Sequence, residues 1–192
     1  TAASVGAATA VAGAIGFVVA AAHFDHRLRG AESDRDARFV GRLCRDLDVT
    51  LYTGSADVGG YARKNGLGVE EAARRLRYGF FYKTAKKSGA VRIATAHTAD
   101  DNAETILFHL TRGAGLKGLG GIPPVRGQII RPMLAVTREE VLFFLSGRSL
   151  TYVEDSSNAD ETYSRNLIRR RVIPVLKQIN PRMVEHAAAA AP

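Results

Sequence analysis

Apolar positions along this chain follow two rhythms. Short runs of β-branched and small apolar residues read as strands, and longer stretches with apolar residues three and four apart read as amphipathic helices. Taken in order, they predict a strand at 17–22, a helix at 32–47 and a second strand at 50–53. Two helices follow at 56–64 and 70–88, separated by the breaker Asn65-Gly66-Leu67-Gly68. A third strand covers 91–96, and from Asp100 the residues Ala103, Ile106, Leu107 and Leu110 fall at helical spacing. A glycine-rich segment runs over 113–124, a further strand is expected at 129–131, and a helix at 137–146 opens on Thr137 with Glu140 three residues on, the pattern of a capping box. A basic helix is expected at 163–178, and only the terminal alanine tract is of low complexity.

Strands alternating with helices imply an α/β fold. The expected architecture is Rossmann-like: an open, mainly parallel sheet with helices on both faces, followed by a small basic helical segment. With 192 residues and 46% hydrophobic content, the chain can bury one sizeable core. A formal charge of +8 suits a polyanionic partner, although a membrane surface would attract it too. Cys44 is the single cysteine, so an internal disulfide framework and a CxxC centre are excluded for this sequence, and its setting in a helical pattern reads as a small buried thiol. Residues 1–22 are apolar but lack a basic n-region and a clean membrane-length span. No export signal and no membrane segment are expected, and the location expected is the cytoplasm.

Candidate chemistry concentrates where the strand at 91–96 breaks into His97, Asp100, Asp101 and Glu104. In open α/β sheets ligands collect at the carboxyl ends of strands, which is where these residues fall. Asp101 and Glu104 are three apart and share a face near the positive end of the helix. An acidic N-cap and first turn would account for one or two of the carboxylates, and less well for His97. Ala22-His23-Phe24-Asp25-His26-Arg27-Leu28-Arg29-Gly30 ends the first strand, but His23 and His26 point to opposite faces of an extended segment, which disfavours zinc. In Glu70-Glu71-Ala72-Ala73-Arg74-Arg75-Leu76-Arg77-Tyr78, a helix sets Arg74 and Arg77 on one face, as a solvated salt-bridged surface or as a cationic site. Two basic stretches, one with Arg112 and Lys117 and the other with Arg165, Arg169, Arg170 and Arg171, fit phosphate-backbone contact, the alternatives being a helix C-cap with its linker for the first and a solvated surface helix for the second.

Six blocks, in order, carry a resemblance to a known family. AHFDHRLRG, EEAARRLRY, IATAHTADDNAET, LTRGAGLKGLGGI, IIRPML and YSRNLIRRRVIPVL are together similar to tRNA(Ile)-lysidine synthetase, over about residues 17–184. The resemblance implies an N-type ATP pyrophosphatase (PP-loop) domain. It also implies a ligase that uses ATP and Mg²⁺ to adenylate the wobble cytidine of an isoleucine tRNA with a CAU anticodon, then joins L-lysine to it. On this reading Arg77, Asp101, Glu104, His97 and His26 are catalytic, with Arg77 as the cation on the α-phosphate and Asp101 or Glu104 holding lysine's ammonium. Asp101 is also the candidate Mg²⁺ ligand. Ser4, Gly6, Thr9, His23 and Asp25 would bind ATP, and Arg112, Lys117, Arg165, Arg169 and Arg170 would bind tRNA. The family's phosphate loop reads S-G-G-x-D-S, because glycines let backbone N–H groups close on a pyrophosphate. Its best match here, Ser4-Val5-Gly6-Ala7-Ala8-Thr9, sets Val5 at a glycine and Ala8 at the acid.

Residues 1–184 then form the catalytic domain, with 135–184 either part of it or a helical extension, and 185–192 a tail. A C-terminal tRNA-binding region usual in the family is expected to be missing. Two other functions stay open: a non-catalytic RNA-binding module, favoured by the altered loop, and another PP-loop tRNA-modifying enzyme such as a thiolase, for which cysteine pairs would be needed. A homodimer is an open alternative to a monomer.

Overall fold

The computed structural model describes residues 18–28, 30–115, 119–148, 150–153 and 164–190. The chain divides into two compact units, residues 1–93 and 94–192. The architecture is α/β, as the alternation of patterns implied.

In the first unit, β1 (Ala20–Asp25) pairs in parallel with β2 (Thr50–Ser55), from Ala20 opposite Thr50 to Asp25 opposite Ser55. A parallel pair needs a crossover, and α1 (Ala31–Asp46) supplies it. Ala21, Cys44 and Val49 are buried together under Val40, Leu47 and Leu51. Cys44 is 1% exposed and burial pushes its thiol pKa up, so it is the inert core thiol its setting implied. β1 ends three residues later than the expected 22, because ladder pairing with Thr53, Gly54 and Ser55 continues through the polar residues His23 and Asp25. α2 (Val58–Asn65) starts at Asp57, whose carboxylate accepts the Gly60 N–H at 2.8 Å, and stops at Gly66, whose φ of 63° suits glycine. α3 (Val69–Ser88) follows, and Val58, Ala62 and Ala72 close a second core with Tyr61, Leu67 and Leu76.

Past the division lie α4 (Ala99–Thr111), the hairpin of β4 (Val125–Arg126) with β5 (Ile129–Ile130), and α5 (Arg138–Gly147). β3 (Ile93–Ala94) completes a sheet of order β3-β5-β4, extended by the Thr95 N–H donating to the Ile130 carbonyl. The strand expected over 91–96 thus shrinks to two residues, and Val91 stays 78% exposed. α5 is opened by the Thr137/Glu140 capping box.

The basic helix is α6 (Ser164–Leu167), a π turn (Ile168–Val172) and α7 (Ile173–Ile179); its expected first residue, Tyr163, lies outside the described residues. Within the π turn the Ile173 N–H reaches back to the Ile168 carbonyl. Two residues five apart would sit about 140° apart around a regular helix. The wider turn lets both Ile168 and Ile173 enter the core formed with Ala99, Ala103 and Val184. α8 (Met183–Ala190) packs Met183, Ala187 and Ala188 on the same core, so the segment read as a tail is helical up to Ala190.

Candidate functional site

The acidic cluster of the second unit sits at the start of α4. Thr98 caps the helix: its backbone N–H and hydroxyl both donate to Asp101 Oδ2, at 2.8 and 3.1 Å, and its Oγ1 accepts the Asp101 N–H at 3.4 Å. Asp100 turns to the next helix, accepting the Arg138 N–H of α5 at 2.6 Å, while the Ala99 N–H donates to the Val136 carbonyl. Two helix N-termini are therefore satisfied by one short segment.

Glu104, one turn in, is 2% exposed. Arg169 grips it as a fork: Nε donates to Oε1 at 2.5 Å and Nη2 to Oε2 at 3.0 Å. The same Nη2 lies 3.4 Å from Asp101 Oδ1, so Arg169 spans both carboxylates. Arg165 reaches the Thr105 hydroxyl at 3.4 Å. Burial pushes the Glu104 carboxyl above its ordinary pKa despite the opposing hydrogen bonds from Arg169. Burial also opposes the Arg169 charge, but Glu104, Asp101 and Asp100 together outweigh it and hold that pKa up. Asp101 is the more accessible carboxylate, its side chain 30% exposed.

Neighbouring groups fix this corner. Asn102, 1% exposed, accepts the Ile122 N–H at 2.7 Å through Oδ1. Gly121, at φ 63°, lies so close to that amide that a Cβ there would overlap Oδ1. Buried Arg131 donates through Nη1 to the Pro123 carbonyl. His97 Nδ1 lies 3.0 Å from Thr95 Oγ1, just before the cap. Arg112 ends α4 with its guanidinium 5.0 Å above the Phe108 ring, and Arg170 is exposed.

The first unit holds the other candidates. Arg77 is partly buried on α3, its guanidinium 5.8 Å from the Tyr78 ring, while Arg74 lies 4.8 Å from that ring. Burial pulls the Arg77 pKa below its usual value, opposed by Tyr78 and Glu70 and aided by Arg74. Asp25 accepts the Arg27 N–H at 2.8 Å, which steadies Arg27 at φ 53°. His23 is held below the ordinary histidine pKa by burial, and the His26 ring meets Phe24 edge-on at 5.2 Å. Ser4, Gly6, Thr9, Arg29 and Lys117 lie outside the described residues.

A family profile for the PP-loop domain matches residues 5–176. The chain belongs to the PP-loop domain family. It is 47% identical over 172 residues to a tRNA(Ile)-lysidine synthase of Porphyromonas gingivalis, a match covering 89% of this chain and 38% of that protein. A tRNA(Ile)-lysidine synthase of Petrotoga mobilis is 42% identical, covering 89% of this chain and 55% of its own length, and that of Bacillus subtilis is 44% identical, covering 85% and 35%. The chain thus spans between about a third and just over half of these relatives. In fold it matches the U34-tRNA thiolase NcsA from Methanococcus maripaludis with a TM-score of 0.72 at 14% identity, over 91% of this chain and 60% of that one.

ATP use goes with a PP-loop domain, but the chain's own loop, residues 4–9, lies outside the described residues. No group of three His, Cys, Asp or Glu able to hold a metal occurs among the described residues, so Asp101 has no partner ligand for Mg²⁺ there. Among the described residues, no helix is long and apolar enough to cross a membrane. Sequence reasoning missed that Arg169 joins the acidic pair. The sole hint was the spacing of Ile168 and Ile173, wrong for a regular helix and right for a π turn.

Proposed function

We propose that this PP-loop domain carries out ATP-dependent modification of an isoleucine tRNA with a CAU anticodon, forming lysidine. The chemistry is adenylation of the cytidine C2 oxygen with loss of pyrophosphate, then displacement of AMP by the amine of L-lysine. The observation that carries the reading is the match to tRNA(Ile)-lysidine synthases, 47% identical over 89% of the chain. The residue environments support it. Arg77, a partly buried guanidinium beside the Tyr78 ring, is suited to negative charge growing on an α-phosphate. Asp101, the partly exposed carboxylate, is suited to the ammonium of lysine. His97 and His26 are candidates for moving protons, and Arg112, Lys117, Arg165 and Arg170 for tRNA phosphates. No step relies on a metal held by Asp101. A cytoplasmic location and a homodimer are compatible with this reading, and neither is required by it.

Val5 and Ala8 in the phosphate loop favour a second reading, a non-catalytic RNA-binding module. Thiolation is disfavoured by the single, buried cysteine of this chain. ATP–pyrophosphate exchange stimulated by a tRNA(Ile) transcript separates enzyme from module, and labelled lysine incorporated into that transcript identifies the product. Arg77→Lys, which keeps the charge and loses the fork, should depress exchange strongly and leave tRNA affinity nearly unchanged. tRNA binding without any exchange would favour the module.

A further inference from the structure

We propose that Glu104 and Arg169 are positioning residues for Asp101, and that Arg169 makes no contact with tRNA phosphates. The inference rests on the function proposed above. It starts from accessibility, since Glu104 at 2% exposure is closed to a substrate whereas Asp101 at 30% is open. Glu104 fixes the Arg169 fork through two hydrogen bonds, and the outer arm of that fork meets Asp101 Oδ1. From the other side, the Thr98 cap holds Oδ2. Asp101 is thus oriented at both oxygens. A carboxylate held in this way can meet a substrate amine without first reorganising.

Charge supports the assignment. The groups facing Glu104 are Asp101 on its own helix, Arg165 from α6 and Arg169 from the π turn, while α8 packs against α4 through Met183, Val184, Ala187 and Ala188. Asp100, Asp101 and Glu104 against Arg165 and Arg169 leave one net negative charge, which suits a single ammonium better than a divalent cation. The π turn explains how a residue from a basic helix comes here: with Ile168 and Ile173 both drawn into the core, Arg169 turns inward beside Ile168.

The test uses the 192-residue chain carrying Arg169→Lys, and separately Glu104→Gln with Arg169→Met, a neutral pair that stays foldable. For both, the lysine concentration giving half-maximal lysidine formation should rise about tenfold or more, while pyrophosphate exchange and tRNA affinity stay within about twofold of the parent. The slope of log tRNA affinity against log salt should not change. A slope shallower by somewhat under one, with lysine dependence unchanged, would make Arg169 a phosphate contact and overturn the proposal. Amide exchange at Thr98 reads positioning without any catalysis, because that N–H is bound to Asp101 Oδ2. It should speed up in both variants, and parent-like exchange would overturn the proposal. A parent chain that makes no lysidine defeats only the function reading, leaving the exchange and salt-slope measurements to decide this one.

Discussion

Two arginine–glutamate pairs in this protein have nearly the same contact length and opposite consequences. Arg75 meets Glu71 at 2.6 Å on the open face of α3, with the two side chains 58% and 53% exposed. Arg169 meets Glu104 at 2.5 Å, with exposures of 31% and 2%. Coulomb's law at equal separation differs only through the surroundings, and water around the first pair screens most of what the buried pair keeps. Burial also charges the second pair a desolvation cost, visible in the raised pKa of Glu104. A buried pair of this kind is therefore costly to break from one side and cheap to replace whole.

The largest effect expected follows from that asymmetry. Arg169→Met strands a buried carboxylate and should cost about 3–5 kcal/mol in urea unfolding, most of it regained when Glu104→Gln is added. If the double variant is no more stable than the single one, the buried pair is not the closed unit described here. A neutral buried contact should fall between the two pairs. Asn102→Ala leaves the Ile122 N–H without its acceptor and should cost about 1–3 kcal/mol, measured the same way. A loss as large as that of Arg169→Met would show that burial alone, and not buried charge, sets the scale.

Titration sharpens the contrast. The folded pKa of Glu104 is raised above its unfolded value, so its contribution to stability is full below the ordinary carboxylate range and is lost as pH rises through the folded value. Between those values stability should fall by at most about 1.4 kcal/mol per pH unit from this group. Glu104→Gln should remove that slope and Glu71→Gln should leave it in place, as thermal midpoints across mildly acidic to neutral pH would report. A slope that survives Glu104→Gln belongs to another group.

The two pairs also mark how far the sequence could be read. Glu71 and Arg75 are four apart in a helical pattern, so their meeting follows from spacing. Glu104 and Arg169 are 65 apart, and nothing in either segment names the other. The helices were legible because their stop and start signals are local. Thr137 and Glu140 form the capping box read from their spacing, and Gly66 ends α2 at the expected breaker. The strand at 91–96 was overextended because β-branched composition says nothing of ladder partners, and pairing reaches only Ile93–Ala94 with one more bond at Thr95. Spacing allows an acidic cap for one or two carboxylates of the cluster, and tertiary contacts decide how the work is divided. Asp100 caps α5, Asp101 joins the cap of α4, and Glu104 anchors Arg169.

The smallest effect is expected at the surface pair, and it is the control on which the comparison stands. Arg75→Ala removes a cation from an exposed position, where the lost attraction is offset by side-chain freedom regained and water restored to Glu71. Glu71 precedes Arg75 by four residues, the favourable order, so a loss is expected but should stay within about 0.5 kcal/mol. Glu71→Ala should cost slightly more, because Glu71 also lies in the first turn of α3, where a negative charge meets the positive helix end. In 1 M salt the screening length falls to about 3 Å and both differences should shrink, whereas the cost of Arg169→Met should persist because its partner is shielded from solvent. A surface loss above about 1 kcal/mol that ignores salt would mean that exposure does not separate these two pairs.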